Sequence, residues 1–492
     1  MRCLFLAIVA YVSLTATAAL AQIDDTDWDA LLPATEIVAD LDVLYSGLQS
    51  AHADLYANRS RDEYDAYFDA LRRSVDTPMR RFDVHRLLQR FAAFGNVGHA
   101  RIDFPAAAYD AFREAGGKSL PIYPRIVGQA VYVGEDYSGN TAIHAGDEIV
   151  AIDATPIGVW LERLREHIAA DTPYIAHSLL EFTLPRELWA ISGERDEFVL
   201  TLRRNAALFD VVVAAKTKAQ QQLAAEQAPH GFALASDKRE FRMLDQRVAY
   251  LRPGPFYNVE NLAEPWDNTA FVAFIDSAFE RMLDDDATDL VIDLRQNPGG
   301  DNSFSDVMLA WFATEPFRFC SAFIIRSSDE AAASNAARLA AKAAATDDIS
   351  TLFARQYATT PRGETFNFDI PFAEPRDGRR FAGRVYVLVN RHSYSNAVNV
   401  AAIIQDYKLG VVAGEKTADM ATTYGAMEQF TLPNTGIQVG FPKAHIIRPS
   451  GDTRPDGVTP DWPIASPIVA PTSDVVLEAL LGKIATAMDS AP

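Results

Sequence analysis

The chain has 492 residues, enough for several domains. Hydrophobic residues make up 49% and charged residues 23%, an ordinary globular balance that excludes global disorder. The formal charge of -21 gives a surface that repels phosphate backbones and sets aside nucleic acid as a partner.

Residues 1–21 carry one arginine, an apolar run and small residues ending Ala19-Leu20-Ala21. This pattern predicts a signal peptide cut near Ala21, with an uncleaved anchor as the alternative. No later segment offers the ~20 consecutive apolar residues of a membrane span. The mature chain is therefore expected to be exported, periplasmic or secreted, with no membrane span. Cleavage removes Cys3 and leaves Cys320 alone, so no internal disulfide is expected.

Residues 22–115 are expected to form a helical domain. Ile37, Leu41, Leu44 and Leu48 recur at helical spacing, as do Tyr64, Phe68 and Leu71, and then Val84, Leu88 and Phe91. After them, Ala100, Ile102 and Phe104 alternate as in a strand. Residues 116–206 are β-rich. Turns are expected at Gly128-Gln129, Gly146-Asp147 and Asp153-Ala154, then a helix at VWLERLREHI and a closing strand at FVLTLRR. That order, and AGDEIVAIDATPI in particular, resembles a PDZ-like module. No G-L-G-F carboxylate-binding loop is present. Residues 207–244 include a polar, weakly periodic stretch that predicts a linker.

Residues 245–470 alternate strand, turn and helix, which predicts an α/β core. LVIDLR and VYVLV are continuous apolar strands of the kind covered on both faces. Between them lies an alanine-rich stretch, residues 328–357, that reads as a surface helix or a lid, with Ser328 or Asp329 as its cap. A β pair is expected to turn at Asn434-Thr435-Gly436. Residues 471–492 predict a closing helix.

Two strand-to-helix turns carry the chemistry. In NPGGD, Gly299 and Gly300 permit unusual backbone angles, and their N–H groups can face an anion. In NRHSYSNAVNVAA, a strand ends in serines and turns at once into a helix. Such a turn exposes a hydroxyl, and the Asn396 N–H can join an anion hole. Neither motif is a Walker loop or G-x-S-x-G. The nine histidines are scattered, with no H-E-x-x-H and no cysteine cluster, so no metal site and no cofactor are expected.

The segments YLRPGPF, LVIDLRQNPGGD, VYVLVNRHSYSNAVNVAAII, VVAGEKT and GVTPDWPI follow one another in an order that resembles the tail-specific, or C-terminal processing, serine proteases. The catalytic core of that family is shared with tricorn protease. The resemblance implies an α/β multidomain fold with an N-terminal helical domain, a PDZ-like β domain and a crotonase-like α/β/α serine protease core. It implies Ser395 as nucleophile, with Ser393 a turn residue. The family's lysine base falls at Met420, and Lys416 is out of register. The histidine branch of the family instead implies His99 as general base, with His392 a local rival; the branch's aspartate two residues earlier is Val97 here. The position of the orienting acid holds Arg454. Asp452 and Asp456 flank it, and Asp456 is preferred. The N–H groups of Gly299 or Gly300 and of Asn396 would hold the oxyanion.

The expected function is an exported serine peptidase acting on peptide or unfolded-protein substrates. A non-catalytic peptide-binding relative and a hydrolase of non-peptide acyl groups are the alternatives.

Overall fold

Residues 27–227, 237–244, 247–341, 348–469 and 471–489 are described in the computed structural model. The predicted signal peptide and its cleavage point lie outside them.

The three predicted helical stripes form helices Ala34–Ala51, Arg61–Ser74 and Arg81–Ala93. The second begins in a capping box, in which Ser60 and Glu63 satisfy each other's free backbone N–H groups. These helices do not close a core of their own. Ile37, Leu41, Leu48 and Phe91 share one apolar cluster with Ile325, Phe441 and Ile446 of a four-stranded sheet late in the chain. Asp40, fully buried, accepts the N–H groups of Asn434 and Thr435 at 3.0 and 2.8 Å and ties the first helix to the predicted hairpin turn. The expected boundary at residue 115 therefore does not enclose an independent domain. Three short helices expose too much apolar surface alone and bury it on the sheet. The strand expected around Ala100–Phe104 is reduced to one bridge, Arg101 with Gly440, because only that residue reaches the sheet.

The β-rich unit is an antiparallel sheet in the order Ile122–Val127, Ala130–Asp136, Glu148–Ile152, Glu197–Arg204, Ala207–Ala214. Its three turns stand where the sequence puts them, with Asp153 and Ala154 both at positive φ. Two features differ from expectation. Ala207–Ala214 pairs along its whole length with Glu197–Arg204, so the sheet runs past residue 206 into the expected linker. A 20-residue helix, Pro173–Ser192, covers the sheet and buries Leu180, Leu184 and Leu188 in its core. Its apolar residues lie all round, so no amphipathic stripe announced it. The rest of the linker holds a helix, Lys218–Gln227, and a strand, Glu240–Met243.

That strand is the antiparallel edge of a six-stranded sheet. Its neighbours in order are Val248–Arg252, Asp289–Asp293, Arg384–Val389, Val411–Gly414 and Trp462–Pro463, all parallel. Helices Thr269–Asp284, Asn302–Ala310 and Asn396–Asp406 bury Phe271, Phe279, Phe304 and Ile403 on one face. The closing helix, Val475–Asp489, covers the other with Leu477, Leu480 and Ile484. Ligands of parallel α/β sheets bind beyond the carboxyl ends of the strands. Here those ends carry Gly254–Phe256, Asn297–Gly300, Asn390–Ser395 and Glu415–Met420. Cys320 is buried just before a strand of the four-stranded sheet, and burial pushes its thiol up to about 12.

The alanine-rich stretch forms helices Asp329–Ala341 and Asp348–Thr359, and the Ser328 hydroxyl accepts the Ala331 N–H. Glu428 holds the first helix. Its carboxylate accepts from Ser334, Arg338 and Lys443, each at 2.6 Å. Burial pushes Glu428 up, but Lys443 and Arg338 outweigh it and hold the group down at about 2. Glu428→Ala leaves the buried Lys443 ammonium unpaired and is expected to cost about 3 kcal/mol of unfolding free energy, measured by urea titration.

Candidate active site

The Asn297–Gly300 and Asn390–Ser395 turns leave neighbouring parallel strands and are stitched together. Ser393 Oγ donates to Leu294 O at 2.8 Å and accepts from the Asn390 N–H at 3.1 Å. Tyr394 N–H donates to Asn297 O at 2.9 Å, and Asn297 Nδ2 donates to Gly254 O at 2.7 Å. Ser393 is fully buried and spent on these bonds, a turn residue as expected.

Ser395 has φ 52° and ψ -123°, a conformation costly for any residue with a side chain. It stands at the first turn of helix Asn396–Asp406, yet its hydroxyl makes no capping bond. Strand, strained serine and buried helix together make the geometry of a nucleophile elbow.

Gly299 and Gly300 have φ 86° and 135°. A Cβ on Gly299 would lie 2.6 Å from Tyr394 O, 2.7 Å from Asn396 N and 2.8 Å from Ser395 Cβ. The NPGG turn therefore packs directly on the elbow. Its two N–H groups are not equivalent. Gly299 N–H donates to Asn297 Oδ1 at 2.9 Å, whereas Gly300 N–H has no hydrogen-bond partner among the described residues. Asn396 N–H, the first of the helix, also has none. Gly300 and Asn396 are thus the open donors, and Gly299 supplies close approach. Gly299→Ala is expected to lower stability by about 2 kcal/mol, measured by thermal unfolding, through its positive φ and its contacts with the elbow.

His99 lies in the turn after helix Arg81–Ala93, fixed by the Arg101–Gly440 bridge on one side and by Gly98 N–H donating to Asp171 Oδ2 at 2.9 Å on the other. Its ring stacks on Tyr394, the residue before Ser395, with centroids 6.0 Å apart. Its Nδ1 is buried without a hydrogen-bond partner among the described residues. Burial, with the Arg101 charge adding to it, pushes the ring down to about 4, against a backbone hydrogen bond at Tyr424. No hydrogen bond joins His99 to Ser395; catalytic contacts are often long until substrate binds. Val97, in place of the family aspartate, is buried core.

The expected acid stands elsewhere. Asp456 pairs with Lys416 at 2.5 Å and is exposed. Asp452 is held by Arg454, whose hydrogen bonds bring its carboxyl down to about 2. Both acids found opposite charges at the surface, so neither comes inward to the imidazole.

His392 is engaged away from Ser395. Its Nε2 lies 2.9 Å from Glu181 Oε2, and its ring sits 4.5 Å from Phe182, both on helix Pro173–Ser192. Glu181 also accepts from Arg125, Arg391 and the Ile126 N–H at 2.7 to 2.9 Å. This buried cluster fastens the β-rich unit to the elbow turn.

Sequence reasoning missed Glu181, Asp171 and Asp419. Asp419 Oδ2 accepts the Ser395 N–H at 2.5 Å, and its Oδ1 accepts the Met420 N–H at 2.9 Å. Asp419 sits one residue before Met420, and only its contact with the elbow distinguishes it from any loop aspartate. Among the described residues no cluster of histidine, cysteine and acidic side chains could hold a metal.

Residues 266–464, which span the elbow, both glycines and the loop bearing Asp419, match the model of peptidase family S41. That segment is similar to the peptidases of family S41. The family is one of serine-type hydrolases. S41 structures share the chain's fold beyond that segment. A serine-to-alanine mutant of CPAF is 16% identical over 88% of this chain and 93% of its own, with a TM-score of 0.60. Mature CPAF is 15% identical over 87% and 92%, with a TM-score of 0.58. Mature CPAF complexed with lactacystin is 15% identical over 92% and 97%, with a TM-score of 0.57. At these identities the likeness is one of fold. No curated protein matches the chain. Four of the five sequence segments, from LVIDLRQNPGGD to GVTPDWPI, lie within the matched residues, and YLRPGPF precedes them.

Proposed function

We propose that the chain is an exported serine peptidase that hydrolyses peptide bonds through an acyl-enzyme on Ser395. The observation that carries this reading is the strained, uncapped Ser395 beside two open backbone donors. Ser395 Oγ attacks the substrate carbonyl carbon as its proton passes to His99. The oxyanion accepts the N–H groups of Gly300 and Asn396, donors fixed before the charge develops. His99 then returns the proton to the leaving amine, and the C–N bond breaks. Water, deprotonated by His99, attacks the acyl carbon and releases Ser395. Burial keeps the imidazole neutral at pH 7 and so able to accept the proton. Substrate enters as an extended strand at a sheet edge, held by main-chain bonds that tolerate varied sequences.

One observation favours a second reading. His99 Nδ1 has no partner among the described residues, and both flanking acids are paired elsewhere, as a binding protein that kept the fold without catalysis would allow. A fluorophosphonate probe with mass mapping separates the two. The peptidase forms an adduct on Ser395; an unlabelled Ser395 leaves the binding protein. Peptide against ester profiling then tests the bond cleaved.

A further inference from the structure

We propose that Asp419 and Asp171 are positioning residues, two carboxyls that hold the backbone at Ser395 and beside His99. The inference rests on the reading of Ser395 as nucleophile and His99 as base.

Each carboxyl grips one side of the site. Asp419 takes the Ser395 N–H at 2.5 Å and the Met420 N–H at 2.9 Å, so it bridges the elbow and the loop after Val411–Gly414. Asp171, between two helices of the β-rich unit, takes the Gly98 N–H at 2.9 Å. Tyr394 lies between them: its hydroxyl is 3.7 Å from where a Cβ of Gly98 would stand, and its ring stacks on His99. The nearby cation, Arg101, is 2.7 Å from Asp103. Charged and titratable groups facing Asp419 are Asp171, Arg101 and Tyr394.

Such carboxyls are poor stabilisers. Burial pushes Asp419 up to about 7 and Asp171 up to about 6. A carboxyl with a raised folded pKa binds its proton more tightly in the folded state. Its contribution to stability is then lost as pH rises from the unfolded value towards the folded one. At pH 8 both groups are ionised in surroundings that disfavour charge. What they gain is geometric. The Ser395 N–H bond holds the strained elbow and turns that donor away from the oxyanion pocket, which leaves Gly300 and Asn396 to face it. A positioning role therefore predicts a separation that a structural role does not: substitution slows the chemistry without lowering stability.

The test compares wild type, Asp419→Asn, Asp419→Ala and Asp171→Asn at pH 8. It reads the rate of fluorophosphonate labelling at Ser395, kcat and KM on a peptide, the melting temperature, and amide exchange in residues 391–398. Asp419→Asn is expected to slow labelling and kcat at least about tenfold, with KM within about twofold. Its melting temperature stays equal or rises, and exchange at the elbow speeds up. Asp171→Asn is expected to slow labelling without faster exchange at the elbow. Wild-type rates in both asparagine variants, or losses that track a falling melting temperature, overturn the proposal. If wild type itself forms no Ser395 adduct, the peptidase reading fails, and unchanged exchange in Asp419→Asn then separately overturns the grip on the elbow.

Discussion

Ser395→Ala is expected to lower kcat by at least about 10⁴-fold and to leave the fold intact. The loss is large because no acyl-enzyme can form without Oγ. What remains is binding and the pull of the Gly300 and Asn396 donors on a carbonyl attacked by water. The fold survives because the Ser395 hydroxyl makes no capping bond to the helix it precedes. Alanine at φ 52° carries the same backbone strain as serine. The backbone N–H that Asp419 accepts is also kept. Turnover of a fluorogenic peptide beside a thermal melt checks both halves. Retained turnover would send the search to another nucleophile. Ser393 is not available for that, since its hydroxyl is buried and donates to Leu294 O. A lost fold would instead mean that the elbow leans on Oγ through water.

The parts of the site on contiguous strand-to-turn segments were legible before any coordinates. Gly299, Gly300, Ser395 and Asn396 each sit at the end of an apolar run, where a parallel sheet must deliver its loops. The helical stripes that bury Ile37, Leu41 and Leu48 were legible for a similar reason, because a one-sided helix writes its period into the chain. Helix Pro173–Ser192 was not. It is buried on several faces, and Pro185 inside it reads as a break. Asp171 and Asp419 were illegible in a different way. Their partners are backbone N–H groups 73 and 24 residues away, and a backbone donor leaves no mark on the sequence. The same limit explains Asp456. Its position near the family acid was readable, but its pairing with Lys416 depends on how the 415–420 loop runs beside it.

His99→Ala is expected to lower kcat by at least about 10²-fold, with the pH profile assigning the loss. Burial holds the folded imidazole down at about 4, against about 6.5 in the unfolded chain. A base so depressed stays neutral far below pH 6.5, so the acid limb it gives kcat/KM falls near pH 4 to 5. The sign of its effect on stability follows from the same shift. The unfolded chain takes up the proton first, so the contribution to stability is present above about pH 6.5 and is lost as pH falls towards 4. Stability of His99→Ala should therefore fall less steeply than wild type across that window, measured by denaturant titration at several pH values. A limb between pH 6 and 7 that vanishes in Asp419→Asn belongs to the carboxyl pair and not to the imidazole. Near-normal turnover in His99→Ala would reject its role as base. The nearby alternatives are already engaged, His392 with Glu181 and Lys416 with Asp456. Neither could serve without first breaking a contact that holds the elbow turn or the loop beside it.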